Sequence, residues 1–424
     1  MSNEPKELKP KLRFPEFENA AGWAAKPLGS LARRVAQRNS ELEETHVLSN
    51  SAERGIVDQR DYFDKDIANR ENLGGYLIVE HGDYVYNPRI SNFAPVGPIS
   101  KNRADRGVMS PLYTVFRFAD HQNEFFAQYF KSHHWHHYLR QASNSGARHD
   151  RMSVSSHDFF MMPIPVPDAD ERQKIADCLG SMDDVIEAEG RKLKGLQKHR
   201  QGLLQALFPP PGQTRPCLRF RKFDSAGDWE EEKLDEHLAM RGTGHTPNKA
   251  KAEFYNGGVG WVSLADSKRL DQGLISETAI EISEEGINNS SAVLHPTGSV
   301  ILSRDAGVGK SAILSRPMAV SQHFIAWICD PTKLSNWFLY YQLQFLKPLF
   351  EQIAAGNTIK TIGLPFFKAM KIVVPRLAEQ EAIAGCLSTL DKQIAAQAQK
   401  VVALEAHKRG LLQQLFPSAE ASRS

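Results

Sequence analysis

Residues 167–209, PDADERQKIADCLGSMDDVIEAEGRKLKGLQKHRQGLLQALFP, can be laid on residues 375–417, PRLAEQEAIAGCLSTLDKQIAAQAQKVVALEAHKRGLLQQLFP, without a gap. The constant offset of 208 matches Glu171 with Glu379, Ile175 with Ile383, Cys178 with Cys386, Asp183 with Asp391, His199 with His407 and Phe208 with Phe416. Self-similarity at a fixed offset marks a duplicated structural unit. A weaker match joins KLRFPEFENAAGW at 11–23 to CLRFRKFDSAGDW at 217–229, pairing Phe14 with Phe220, Trp23 with Trp229 and, further on, Leu28 with Leu234. The chain is two copies of one plan: an opening segment, a globular middle and a helix. One compact domain is a poor fit for 424 residues arranged this way.

The helix assignment rests on periodicity. Apolar residues fall at Ile175, Leu179, Met182, Ile186, Leu193, Leu196, Leu203 and Leu207, and in the second copy at Ile383, Leu387, Leu390, Ile394, Val401, Leu404, Leu411 and Leu415. Steps of three and four along an unbroken stripe are a heptad seam. The stripe is interrupted at Glu189 and Arg200, and at the corresponding Gln397 and Lys408. Matching breaks predict that the two helices meet each other. Asp168 followed by Glu171 reads as a capping box at the first helix start, and Pro209, Pro210, Pro211 and Gly212 stop the helix. A helix of roughly 40 residues is about 60 Å long, more than one domain's core requires, and so reads as a spacer.

The middles, 30–160 and 235–370, carry short β-type runs such as GGYLIVEHGDYVY, SPLYTVFRF, GVGWVSL, GSVILS and QHFIAWI between Gly, Pro, Asn and Asp turns. They share little with each other although their flanks match. A duplicated frame with divergent inserts fits a frame with one common task and inserts that each read a different target. The fold class predicted is α/β (α+β): two mixed α/β domains joined by two long antiparallel coiled-coil helices in a pseudo-twofold internal repeat.

Chemistry of the chain's own was sought and not found. Lys and Arg total 52 against 50 for Asp and Glu, so any nucleic-acid contact must come from local patches. No run of 18 apolar residues occurs and MSNEPKELKPK lacks the apolar centre of a signal peptide, which predicts a cytoplasmic chain without membrane contact. Cys178, Cys217, Cys329 and Cys386 fall in no metal spacing and are expected to be reduced thiols. Base-flipping amino-methyltransferase chemistry would need an Asn or Asp, Pro, Pro, aromatic motif; Asn87-Pro88-Arg89 and Asp330-Pro331-Thr332 do not supply it. GVGKS at 307–311 would need its first phosphate-loop glycine at Arg304, and a Gly-rich turn bringing Arg304 and Lys310 near DNA fits better. GTGH at 242–245 is a short turn. The run His133, His134, Trp135, His136, His137 is the most metal-like feature, but no carboxylate or cysteine completes it, and a solvated or phosphate-facing helix end is the simpler reading. No catalytic or metal-ligating residue is therefore expected in this chain.

The closing segments, of the form P-x(3)-EQ-x(2)-IA-x(2)-L-x(3)-D-x(2)-I followed by KRGLLQQLFP, resemble the conserved regions of type I restriction-modification specificity subunits. EFYNGGVGWVSLAD at 253–266, GSVILSRDAGVGKSAIL at 298–314 and SQHFIAW at 321–327 resemble target recognition domains of that family. GDYVYNPRISNFAPVGPIS and GVMSPLYTVF are similar to another subtype. Two departures stand out: Arg172 where the second copy has Gln380, and Ser321 where the family has Asn.

The resemblance implies a flexible amino terminus (1–11), target recognition domain 1 (12–166), a central helix (167–209), a linker (210–217), target recognition domain 2 (218–374), a distal helix (375–417) and a flexible tail (418–424). It implies a non-catalytic, DNA-binding subunit of a restriction endonuclease and adenine-N6 methyltransferase complex. Each domain would read one half of a split double-stranded target. The helices would set the gap and dock two modification (methyltransferase) subunits, and restriction (translocase and nuclease) subunits would join through the complex. S-adenosylmethionine, ATP and Mg would belong to those partners, leaving this chain without a cofactor. Loops rich in donors to phosphates and base edges supply candidate contacts: Asn87, Arg89, Ser91, Asn92, Lys101, Arg103, Arg106, Ser145, Arg148 and Arg151 in the first domain, and Thr243, Thr246, Lys249, Lys251, Arg304, Lys310, Asn357, Thr358, Lys360 and Thr361 in the second. Two other readings stay open: an autonomous nuclease or methyltransferase, against which the missing motifs argue, and a coiled-coil adaptor without sequence specificity.

Overall fold

A computed structural model describes residues 8–62, 70–143, 150–355 and 361–417. The chain divides into two compact units: Met1–Gly190 with Gln399–Ser424, and Arg191–Ala398. The repeated segments form the central helix, Ala169–Leu207, and the distal helix, Leu377–Leu415. Each unit therefore contains one globular middle and part of both long helices.

In the first unit, a four-stranded antiparallel sheet has the order Ala32–Val35, Thr114–Phe118, Tyr84–Tyr86, Ile99–Lys101. Its inward side chains, Tyr84 and Phe116 among them, meet Trp23, Phe125, Tyr129 and Phe159 in an aromatic core. Ile175 and Leu179 of the central helix and Leu412, Leu415 and Phe416 of the distal helix close that core. The second unit has two sheets. One runs Leu238–Thr243, Phe324–Cys329, Val300–Ser303, Ser311–Leu314, Leu274–Ile275, and the other Glu281–Ile282, Tyr255–Val262, Met318–Val320, Leu294–His295. Both faces of the Val300–Ser303 strand are covered, which is why it reads as a continuous apolar run ending in serine. Helix Asn336–Ala355 packs with it over Leu204, Leu207 and Phe208 of the central helix and Ile383, Ala384 and Leu387 of the distal helix.

The duplication extends to the contacts that tie each middle to its helices. Ala24–Pro27 pairs antiparallel with Pro163–Val166, and Glu230–Lys233 with Lys371–Val374, so each opening segment pairs with the strand that leads into its long helix. The arginine of each LRF run forms a two-pronged bond to a buried helix carboxylate. Arg13 donates to both Glu171 oxygens at 2.7 Å, and Arg219 to both Glu379 oxygens at 2.7 Å. Trp23 and Trp229 add indole N–H bonds to the same carboxylates. Glu171 thus anchors the opening segment and is not the capping partner that its spacing from Asp168 suggested. The Arg172/Gln380 difference has a local cause: Arg172 reaches Asp120, whereas the buried Gln380 amide bonds Ser335 N, Lys333 O and Pro375 O at the start of helix Asn336–Ala355.

Within the first unit, Asp183 pairs with Lys408 and Glu189 with Lys400, so numbers rise on one helix as they fall on the other and the helices run antiparallel. In the second unit Arg200 pairs with Asp391, the repeat equivalent of Lys408 with Asp183. Three interruptions of the seam, Glu189, Arg200 and Lys408, are therefore places where an ion pair crosses between the helices. Burial pushes the Asp183 carboxyl up, but Lys131 together with bonds from Lys408 and Gln128 holds it down at about 2. The seam is fully buried only toward its ends; Met182, Ile186, Leu193, Leu196, Ile394, Val401 and Leu404 are half-buried. Two predicted seam positions shift by one residue: Leu204 and Leu412 are buried where Leu203 and Leu411 were expected. The real helix period of 3.6 drifts from a strict heptad, and here each domain's core selects the facing residue. The lead-in predicted to be flexible through residue 11 is partly anchored, since Leu8 is buried and pairs with Trp23 through backbone bonds.

Candidate nucleic-acid interface

In the first unit the Tyr84–Tyr86 strand runs into Asn87-Pro88-Arg89. Gly97, at φ +80°, lets the returning chain pass close by, because a Cβ there would lie 2.0 Å from Asn87 O. Asn87 is spent inside the loop: its Nδ2 donates to Asn50 O and its Oδ1 accepts from Arg89 N. The backbone bridge between Arg89 and Arg151 brings two of the predicted cations side by side. Ser91 Oγ accepts from Ala94 N and closes a turn that exposes Asn92 and Phe93, the latter 73% exposed. Lys101 and Arg103 both bond Glu124, and Arg106 lies 3.8 Å from Glu44 and 3.6 Å from Glu80, so much of this predicted charge is compensated within the domain. Ser145 and Arg148 lie outside the described residues.

A cleft of about 500 Å³ opens between the Glu53–Ile56 turn and the histidine run, with Arg54, Phe93, Lys101, Lys131, His133 and His136 on its walls. Lys101 and Arg103, which also lines the cleft, are the two of its residues expected from the sequence to contact DNA. Burial, with the nearby charge of His133 and Arg140, pushes His136 down to about 4, so it is neutral near pH 7 and adds no charge for a phosphate. His137 is bonded to Gln141 and Trp135 is buried in the core. Among the described residues no group of three or more His, Cys, Asp or Glu is placed to hold a metal ion.

In the second unit the predicted residues separate into two kinds. Arg304 is a brace: its Nε donates to Gln322 O and its Nη1 to Ile362 O, and Thr361 bonds Arg304 O and Asp305. Lys310 donates to Ser267 O and Oγ. The Gly-rich turn between Val300–Ser303 and Ser311–Leu314 is a hairpin with Gly307 and Gly309 at positive φ. Arg304 and Lys310, expected from the sequence to lie near DNA, are both used to hold chain to chain. Thr243 bonds Phe324 O within the sheet, and Lys251 lies over the Phe254 ring. Asn357, Thr358 and Lys360 lie outside the described residues.

Thr246 and Lys249, by contrast, border a cleft of about 620 Å³ whose walls include Tyr255, Trp261, Leu264, Ile280 and the Ser321-Gln322-His323 turn. Gly244 of the GTGH run makes this possible: a Cβ on it would stand 1.6 Å from Val320 O, so only glycine lets the chain run against the start of that turn. Gln322 and His323 lie within the SQHFIAW run and are not among the contacts expected from the sequence. Their signal was a polar pair in a turn immediately before a buried strand. This second cleft offers donors and acceptors above apolar walls, an arrangement for reading a surface.

A family model for the type I restriction modification DNA specificity domain matches residues 226–406. A putative type I restriction enzyme MjaX specificity subunit of Methanocaldococcus jannaschii is 22% identical over 63% of this chain and 61% of its own length. The EcoR124I/EcoR124II specificity subunit of Escherichia coli is 26% identical over 57% of this chain and 58% of its own. The chain thus aligns with less than two thirds of these relatives' length. A type I restriction-modification system S subunit from M. genitalium shares the fold, with a TM-score of 0.57 at 15% identity over 97% of this chain and 99% of that one. A chain from a study of complex assembly and conformational transition of the type I R-M system gives 0.59 at 20% identity, covering 97% and 99%. The matched domain spans the second unit's middle and most of the distal helix, the internal repeat relates the first half to it, and in sequence the chain is similar to type I restriction enzyme specificity subunits.

Proposed function

We propose that this chain is the sequence-specific DNA-binding subunit of a type I restriction-modification complex, with residues 12–166 and 218–374 each reading one half of a bipartite target. The observation that carries the proposal is the contrast between frame and insert. Both units repeat the same Arg–Glu–Trp anchor on the same pair of helices, yet the clefts they carry have different linings. A repeated frame with distinct reading surfaces suits two half-targets at a set spacing. The paired helices set the gap between the halves and dock two modification subunits; restriction subunits join through that complex. Methyl transfer, ATP-driven movement and cleavage, with S-adenosylmethionine, ATP and Mg, reside in those partners, and the chain acts in the cytoplasm as a non-catalytic component. Among the described residues no helix is long and apolar enough to cross a membrane.

The contacts proposed for the first half are Arg89, Asn92 and Arg151, whose segments the backbone bridge gathers. For the second it is Lys249, on the rim of the cleft that Thr246 also borders. The test is co-expression with the modification subunits, selection of bound duplexes from a random pool at near-physiological salt, and sequencing. Two short blocks at a fixed gap support the proposal. A folded, assembled complex that enriches no motif overturns it in favour of a coiled-coil adaptor.

A further inference from the structure

The second unit's cleft holds one side chain whose free hydrogen-bonding valences match a particular base pair. Gln322 is exposed, but both its backbone and its amide are held. Arg304 Nε donates to its carbonyl at 3.1 Å, fixing the turn from behind. Thr246 Oγ1 donates to Gln322 Oε1 at 2.5 Å, and Gln322 Nε2 lies 3.5 Å from His323 Nε2. His323 is itself held through Nδ1 by Asp305, to which Thr361 also bonds. An amide has two acceptor lone pairs and two N–H donors. With Thr246 on one lone pair and His323 beside one N–H, a single acceptor and a single donor remain side by side.

That pair is the complement of adenine's major-groove edge, where N6–H donates and N7 accepts. The adjoining wall is apolar, with Leu264 and the 37%-exposed Ile280, and suits the 5-methyl of the paired thymine. At the bottom of the turn the Ser321 hydroxyl, 1% exposed, borders the cleft and has no hydrogen-bond partner among the described residues. Lys249, exposed on the rim, is placed for a phosphate contact.

We propose that Gln322 reads an adenine–thymine pair in the half-target of the second unit, with Thr246 as its positioning residue. This rests on the DNA-reading function proposed above. A preset amide discriminates more sharply than a mobile one because less side-chain freedom is lost on binding.

The experiment is duplex selection with the assembled complex carrying wild type, Gln322→Ala, Gln322→Glu or Thr246→Val. Wild type should enrich an A·T pair at one position of the second unit's block. Gln322→Ala should lose preference at that position alone, lowering affinity for the best site by about 5- to 150-fold. Gln322→Glu should move the preference toward cytosine, whose N4–H donates to a carboxylate. Thr246→Val should blunt discrimination there and leave every other position as it was. The block read by the first unit is the internal control for folding and assembly. Wild type and both Gln322 variants enriching the same motif would overturn the assignment while leaving the DNA-reading function intact. So would loss of both blocks in Gln322→Ala, because the residue would then act on the whole fold. A wild-type complex that enriches nothing overturns the DNA-reading function itself, and this assignment with it.

Discussion

Replacing Arg219 by Met is the sharpest test of what holds the second middle to its helices. The Arg219 and Glu379 side chains are 6% and 2% exposed, and the guanidinium makes two 2.7 Å bonds to the carboxylate. Two further N–H groups of Arg219 serve Ala226 O and Gly227 O. Removing the cation leaves Glu379 buried with, among the described residues, only the 3.4 Å bond from Trp229 Nε1. Breaking a buried pair on one side costs about 3–5 kcal/mol, whereas replacing both partners by apolar groups of similar volume is close to neutral. Arg219→Met should therefore lower the urea midpoint of the second unit by about 1–1.7 M if its m value is about 3 kcal/mol/M. Arg219→Met with Glu379→Leu should recover most of that loss. The assay is equilibrium urea unfolding of the full chain, with hydrogen exchange over 217–234 and 377–390 to assign the transition to its unit, because a chain of two units need not unfold in one step. A cost below about 1 kcal/mol for the single change, or a double variant no more stable than the single, would refute the reasoning. Arg13→Met should act on the first unit in the same way, since Glu171 is equally enclosed.

Gly244→Ala should destabilise the second unit by about 1–3 kcal/mol or more through overpacking against Val320 O, seen as a lower unfolding midpoint, whereas Gly227→Ala, with open space around it, should be close to neutral. Asp183, held at about 2 against an ordinary value of 3.8, contributes stability that is present above about pH 4 and is lost as pH falls through 2; acid titration of unfolding should show that loss in the wild type and a flatter profile in Asp183→Asn. Arg89→Ala should relax one position of the first block in duplex selection, at a cost of about 1–3 kcal/mol. Arg304→Ala should instead weaken the second block as a whole, because it removes the brace behind Gln322 and Ile362; relaxation of a single base by Arg304→Ala would restore it as a direct reader.

The architecture was readable from the residues because its signals are local or repeated. A gap-free repeat, a 3-and-4 apolar spacing and matching interruptions at Arg200 and Lys408 need no knowledge of distant contacts, and the helices and their pairing follow from them. The site was legible only in outline. Lys101 and Thr243, expected in loops, lie in strands, and residue type cannot tell a cation that faces solvent from one that braces the chain. Arg304 and Arg89 look alike in the sequence; one is tied to two carbonyls contributed by 322 and 362, and the other stands exposed. Gln322 drew no notice because its meaning depends on Thr246, 76 residues earlier, being delivered beside it by Gly244. Glu171 looked like a local cap because its true partner, Arg13, is 158 residues away. The sequence by itself determined the elements and their duplication, since these follow from periodicity along the chain. Which polar side chains are spent on the fold and which are left for a ligand was decided by tertiary structure alone, because a hydrogen bond or ion pair depends on distance in space.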